Sequence, residues 1–238
     1  MKEFLGKIRT PQKSYSIPKQ VLISMGILLF GVFMGVFSKY LDYRQANLPA
    51  LLHLIDSAVD LHNFLGKLAP WIVIAVCIAV YSTTPIRAGI NVFVFFAGMV
   101  SSYYWYSNFI AGFFPKSYAL VWIAFTVASP FLAFLCWYAK GTGLVAFFLS
   151  SGVIGVLLNC AFNYGMFYID ISSGLELLML AIGVIVLRRS FKETIGILGV
   201  GAVFAIIMRA VIHFVSGRTK FAESERQGGM IHYELYES

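Results

Sequence analysis

Apolar residues in this chain come in long blocks, and polar residues mark where each block stops. The blocks fall at 20–40, 68–84, 85–112, 117–139 and 143–164, with two more in 171–214 on either side of the basic turn Arg188-Arg189-Ser190-Phe191-Lys192. Most run about 17 to 25 residues, the length a helix rising 1.5 Å per residue needs to cross about 30 Å of hydrocarbon. The pattern predicts an all-α, polytopic transmembrane helical bundle of seven spans. Block 68–84 is short, and six crossings remain if it only dips into the bilayer.

Residues 41–67 carry a different pattern. Leu48, Leu51, Leu52, Ile55, Ala58, Val59 and Leu65 recur at helical spacing, with His53, Asp56, Asp60 and Asn63 on the opposite face. That spacing predicts an amphipathic helix on the membrane or over the mouth of the bundle. The polar stretch 1–19 reads as a basic cytoplasmic arm, 20–215 as the transmembrane domain and 216–238 as a mobile polar tail.

Composition agrees: 59% of the 238 residues are hydrophobic and 12% charged, against about 25% charged in soluble domains. The net charge of +7 could suit nucleic acid. The basic residues, however, gather at the ends of apolar blocks and not along one face, so the expected partner is the lipid bilayer, with no nucleic acid. Ten of them fall on the side of the N-terminus, with Arg87, Lys140 and the 188–192 turn, against Lys39, Arg44, Lys67 and Lys116 opposite. This bias predicts a cell-membrane protein with its N-terminus in the cytoplasm.

Charges inside apolar blocks are costly and face a partner or a watery cavity. Glu176 and Arg209 stand similar distances from the 188–192 turn, so an antiparallel hairpin brings them to one depth and predicts an ion pair. On the seven-span topology Tyr103, Tyr104, Asn108, Asn159 and Asn163 fall in the same outer half. Together with Glu176 and Arg209 they form the candidate ligand-binding set, a hydrated pocket open to the outside. Gly31 and Gly35, and on the last span Gly196, Gly199 and Gly201, are the candidate helix-packing positions. Pro130 interrupts the fourth span, where neighbours must satisfy the carbonyl it frees.

Enzyme chemistry finds no support: no His-Glu-x-x-His, Gly-x-Ser-x-Gly elbow, phosphate-binding loop or dinucleotide fingerprint occurs. His53, Asp56 and Asp60 have the donor types for a metal but read as a solvated polar face. Cys77, Cys136 and Cys160 lie in separate blocks as packing residues. No cofactor is implied. Two readings follow: a protein that binds or helps transport a small solute from the extracytoplasmic side, or a scaffold that joins a membrane-protein partner or a homo-oligomer through its glycine faces.

Ala69-Pro70-Trp71, then Pro85, Arg87 and Ala88, Gly98 ahead of Tyr103-Tyr104, Trp122 and Ser129-Pro130 resemble an uncharacterised family of small bacterial multi-pass membrane proteins over roughly residues 25–210. Ser102 and Ser129 stand where members of that family often carry glycine. No activity attaches to the family, so the resemblance implies fold and compartment only.

Overall fold

The computed structural model describes residues 2–13, 15–165 and 168–234. Short α1 (Lys2–Ile8) leads to α2 (Ile17–Arg44), followed by a 3-10 turn (Gln45–Asn47), α3 (Ala50–Val59) and α4 (Leu61–Gly66). Six helices complete the bundle: α5 (Ala69–Tyr81), α6 (Pro85–Phe109), α7 (Lys116–Ala139), α8 (Gly143–Ala161), α9 (Gly174–Leu187) and α10 (Phe191–Glu234). The long helices alternate in direction. One end of the bundle carries the N-terminal arm and the turns near 82–84, 140–142 and 188–190; the other carries 45–67, 110–115 and 162–173. These are called the arm end and the far end below.

Five helices are long and apolar enough to cross a membrane: α2, α6, α7, α8 and the Phe191–Phe214 part of α10. The expected second and sixth spans are shorter than the blocks suggested, 13 residues in α5 and 14 in α9. At 1.5 Å per residue each is about 20 Å long, short of the roughly 30 Å hydrocarbon core. Their ends are local capping events. Pro85 opens α6 just past the 82–84 turn, with Thr84 as N-cap accepting from the Arg87 amide at 3.2 Å.

Two further differences from expectation stand out. The eighth helix stops at Ala161, and Phe162–Tyr164 pairs antiparallel with Ile169–Ile171, Asn163 opposite Asp170. Aromatic and β-branched residues at 162, 164, 169 and 171 suit a strand better than another helical turn. At the C-terminus α10 continues past the apolar stretch through Glu234, where a separate polar tail was expected; residues 235–238 lie outside the described residues.

Close approach between helices uses glycine at several crossings, two of them backbone to backbone on both sides. A Cβ at Gly31 or Gly35 would collide with the Phe95 or Met99 backbone of α6, and one at Gly98 would lie 2.8 Å from the Leu28 carbonyl of α2. The second approach is α8 on α10, where a Cβ at Gly155 would lie 2.9 Å from the Gly201 carbonyl. Small residues let the backbones touch and gain dispersion contacts in a medium that offers no hydrophobic drive between helices. Gly196 faces the Phe147 ring, and a Cβ on Gly199 would meet nothing within 4 Å. Ring packing around Trp71, Phe95 and Trp137 fills the centre.

Pro130 cannot donate to the Thr126 carbonyl. Ser129 Oγ does so instead at 2.8 Å, which lets α7 keep its proline inside apolar surroundings.

The arm packs against the bundle at Ile8 and Arg9. Arg9 donates to the Trp137 carbonyl at 2.6 Å and to the Val80 carbonyl at 2.9 Å, with its guanidinium 4.1 Å from the Trp137 ring centre. Those carbonyls belong to the last turns of α7 and α5, which have no intrahelical donor and carry the negative end of the helix dipole. Arg189 donates to the Ala139 carbonyl at 2.7 Å, and Thr142 N–H to the Ile8 carbonyl at 2.8 Å.

Candidate functional site

The far end is where polar chemistry gathers. Asp60 adopts a left-handed backbone (φ 55°), which ends α3 and turns the chain directly into α4. The turn brings His62 back onto Asp56: its N–H donates to Asp56 Oδ1 at 2.8 Å, and its Nδ1 lies 2.9 Å from both carboxylate oxygens. A carboxylate partner places the proton on Nδ1 and leaves Nε2 to accept from the Gln45 amide nitrogen at 3.0 Å. Burial works to raise the Asp56 carboxyl, but the His62 hydrogen bonds, helped by electrostatic attraction from the His62 and His53 side chains, outweigh it and hold the group below its ordinary value.

The expected polar face of 41–67 is therefore not a solvated one throughout. Asp56 is buried, and its partner is His62 where His53 had been grouped with it. Asp60 stays 61% exposed on its side chain and accepts from Asn63 Nδ2 at 2.9 Å. Among the described residues no group of three His, Cys, Asp or Glu side chains has metal-binding geometry.

Beneath α4 two chambers lie in line. A polar mouth of about 400 Å³ is lined by Ser38, Asp42, Asp60, His62, Lys67 and Tyr103 among others. It shares Ser38, Gly66 and Tyr103 with a smaller chamber of about 50 Å³, whose walls add Trp71, Tyr104, Tyr118 and Trp122. Five rings from α5, α6 and α7 thus surround one small space. Tyr104 is 8% exposed, and its buried hydroxyl has no hydrogen-bond partner among the described residues. Such a group loses about 1 to 3 kcal/mol of desolvation free energy with nothing to offset it, so a native example calls for a reason.

The lysines at this end have their own carboxylates. Lys39 bonds Asp42 across one helical turn, and its ammonium lies 5.4 Å from the Tyr103 ring centre. Lys67 Nζ lies 2.9 Å from Glu176 Oε2. Glu176 is 4% exposed and sits in the first turn of α9, where Ser173 Oγ accepts from its amide at 3.3 Å and donates to its carboxylate at 3.2 Å. Ser173 is thus the side-chain N-cap of α9, and it holds the Glu176 carboxylate at a helix N-terminus, a position that favours negative charge.

The expected Glu176–Arg209 pair does not form. Equal distance from the turn would have paired them had α9 and α10 packed together, but α10 lies along α8, while α9 lies against α8 and α5. Arg209 instead places its guanidinium 4.5 Å from the Tyr164 ring centre and donates to the Phe162 carbonyl at 3.4 Å. Asn159 belongs to this second cluster, donating to the Ala205 carbonyl at 3.0 Å and accepting from the Tyr164 hydroxyl at 2.6 Å. Asn163 sits exposed in the Phe162–Tyr164 strand, and Asn108 exposed near the end of α6. Of the seven expected ligand positions the structure brings Tyr103 and Tyr104 to the chambers, with Glu176 directly behind Lys67. Arg209, Asn159 and Asn163 group elsewhere, and Asn108 lines neither chamber.

Asp42, Asp60, His62, Lys67, Trp71, Tyr118 and Trp122 complete the site and were not singled out from the sequence as ligand positions. The signal for Lys67 was there in Ser173-x-x-Glu176: an N-cap serine puts Glu176 at a helix start, at the level of residues 61–67. A third, almost wholly apolar cleft of about 540 Å³ runs between α5, α6, α7 and α8, with Trp122 as the wall it shares with the aromatic chamber. No protein-family model matches the chain, and no curated protein or solved structure matches it.

Proposed function

We propose that this chain is a multi-pass protein of the cell membrane that captures a small solute at its far end, on the extracytoplasmic side. The observation that carries the reading is the pair of chambers that open between α2, α4, α5, α6 and α7, with Tyr104, whose buried hydroxyl has no partner among the described residues, in the wall of the inner one. A ligand in that chamber lies beside this otherwise unfavourable group. In this reading all seven helices cross, α5 and α9 completing their short passages through the flanking polar segments. The N-terminal arm is cytoplasmic, as the excess of basic residues at the arm end supports. Residues 45–66 form the cover of the mouth.

The test is cysteine accessibility in intact cells, with Cys77, Cys136 and Cys160 replaced by alanine. Cysteine at Asn63 and at Tyr103 should react with a membrane-impermeant methanethiosulfonate from outside, and cysteine at Ser190, exposed at the arm end, only after permeabilisation. Reaction of Asn63→Cys with no reaction of Tyr103→Cys would show that no watery path reaches the chamber. Labelling of Ser190→Cys alone in intact cells would invert the orientation.

A further inference from the structure

Solute capture at the far end leaves open which solute, and the chemistry of the two chambers narrows it. We infer, building on that reading, that the site takes a small organic cation: an alkylammonium whose charged group enters the aromatic chamber and whose remainder lies in the polar mouth.

Four observations converge. The inner chamber is walled by Trp71, Tyr103, Tyr104, Tyr118 and Trp122. The faces of such rings carry negative quadrupole density and attract ammonium groups within about 6 Å of the ring centre, most strongly where water is excluded. At about 50 Å³ the chamber exceeds several-fold the roughly 10–15 Å³ one water requires, so it has room for a compact headgroup.

The surface already holds one ammonium of its own. Lys39 Nζ lies 5.4 Å from the Tyr103 ring centre, on a ring that lines both chambers. Charge points the same way. Lys39 is neutralised by Asp42 and Lys67 by Glu176. That leaves the exposed Asp60 carboxylate at the mouth, faced among the described residues by the Asn63 amide and by His62 Nδ1 at 3.5 Å, whose ring is already held by Asp56. Among the described residues no arginine lines either chamber, so an anion entering here would meet the Asp60 carboxylate with no unpaired cation in the walls. Finally, the Tyr104 oxygen has lone pairs to accept an ammonium N–H, which separates two kinds of cation: a primary ammonium can use it and a quaternary one cannot.

The probes are choline, its uncharged carbon isostere 3,3-dimethylbutan-1-ol, and ethanolamine, each titrated into the full-length protein in lipid nanodiscs. Trp71 and Trp122 fluorescence and calorimetry serve as readouts, with sodium chloride matching ionic strength. Choline should bind saturably and about tenfold or more tightly than the uncharged isostere, the ratio expected of one desolvated cation–π site. Tyr104→Phe should weaken ethanolamine several-fold more than it weakens choline, and a melting temperature no lower than the parent's would show that the fold survives. Equal binding of choline and the isostere would overturn the cation assignment while leaving solute capture standing. Saturable binding of none of the three, with Tyr103→Cys still labelled from outside, would likewise overturn it and leave the mouth in search of another ligand. Loss of choline binding in Tyr104→Phe equal to that of ethanolamine would overturn the role given to the hydroxyl.

Discussion

Arg9 and Tyr104 are both polar side chains carried into the bundle, one at each end, and the protein treats them differently. At the arm end Arg9 spends its donors on the final carbonyls of α5 and α7, and Arg189 does the same for α7 from the opposite side. Even the hollow of about 180 Å³ there is walled by groups already bonded to one another: Arg87 to Ser24 and the Gln20 carbonyl, and Asn91 to Ser24 and Ser82. At the far end ion pairs close around the mouth, but the Tyr104 hydroxyl in the wall of the inner chamber is left without a partner among the described residues. Arg189 Nε is likewise buried without a partner among the described residues, but the same guanidinium still donates to the Ala139 carbonyl, whereas the Tyr104 hydroxyl makes no hydrogen bond among them. The contrast separates side chains that hold the fold through at least one bond from a side chain that makes none.

Substitutions at the two ends should therefore differ in size and kind. The largest effect belongs to Arg9→Ala, which strips two helix ends of a charged donor. Thermal unfolding in detergent should show a loss of about 2 to 4 kcal/mol, or a melting point lower by about 5 to 15 °C. A shift under about 2 °C would mean that the arm end is not latched.

Next comes Lys67→Ala, which leaves the buried Glu176 carboxylate without its ion partner. Because Lys67 is 41% exposed, water can replace part of the interaction, and the loss should be about 1 to 2 kcal/mol. Adding Glu176→Gln should restore most of it; purely additive losses would contradict the coupling.

A smaller effect is expected from acid. The Asp56 carboxyl titrates below its ordinary value of 3.8 when folded, so its contribution is complete above that value and disappears as pH falls through the lowered one. Amide exchange across 50–66 should speed up on going from pH 7 to about pH 3, and Asp56→Asn should abolish that difference. Exchange that is indifferent to pH, after correction for intrinsic rates, would remove Asp56 as the pin of α3 on α4.

The smallest effect is the most telling. Tyr104→Phe should not lower stability and should raise it by about 1 kcal/mol, because no protein group loses a hydrogen bond and the desolvation cost of the buried hydroxyl is removed. A loss above about 1 kcal/mol would reveal a partner for this hydroxyl and erase the difference between the ends.

Much of this bundle could be read from the chain because span length and apolar content are local properties. Gly31 and Gly35 marked a packing face for the same reason, and their partner is α6 of the same chain. What failed was reasoning about which helices are neighbours. Glu176 and Arg209 are equidistant from their turn, yet α8 comes between the helices that bear them. The Arg9 contacts span 128 and 71 residues of sequence, so nothing local distinguishes this guanidinium from the other basic residues of the arm. Tyr103 and Tyr104 drew notice as polar residues in the outer half of the expected bundle. Trp71 and Trp122, which share the chamber with them, stood in the sequence only as motif residues until the fold brought them together.

The most direct check is a structure of the full chain in lipid nanodiscs, at a resolution that shows ordered small molecules. The account predicts non-protein density in the chamber walled by Trp71, Tyr103, Tyr104, Tyr118 and Trp122, within hydrogen-bonding distance of the Tyr104 hydroxyl. A Tyr104 hydroxyl bonded to a protein carbonyl, with the five rings collapsed on one another, would contradict it.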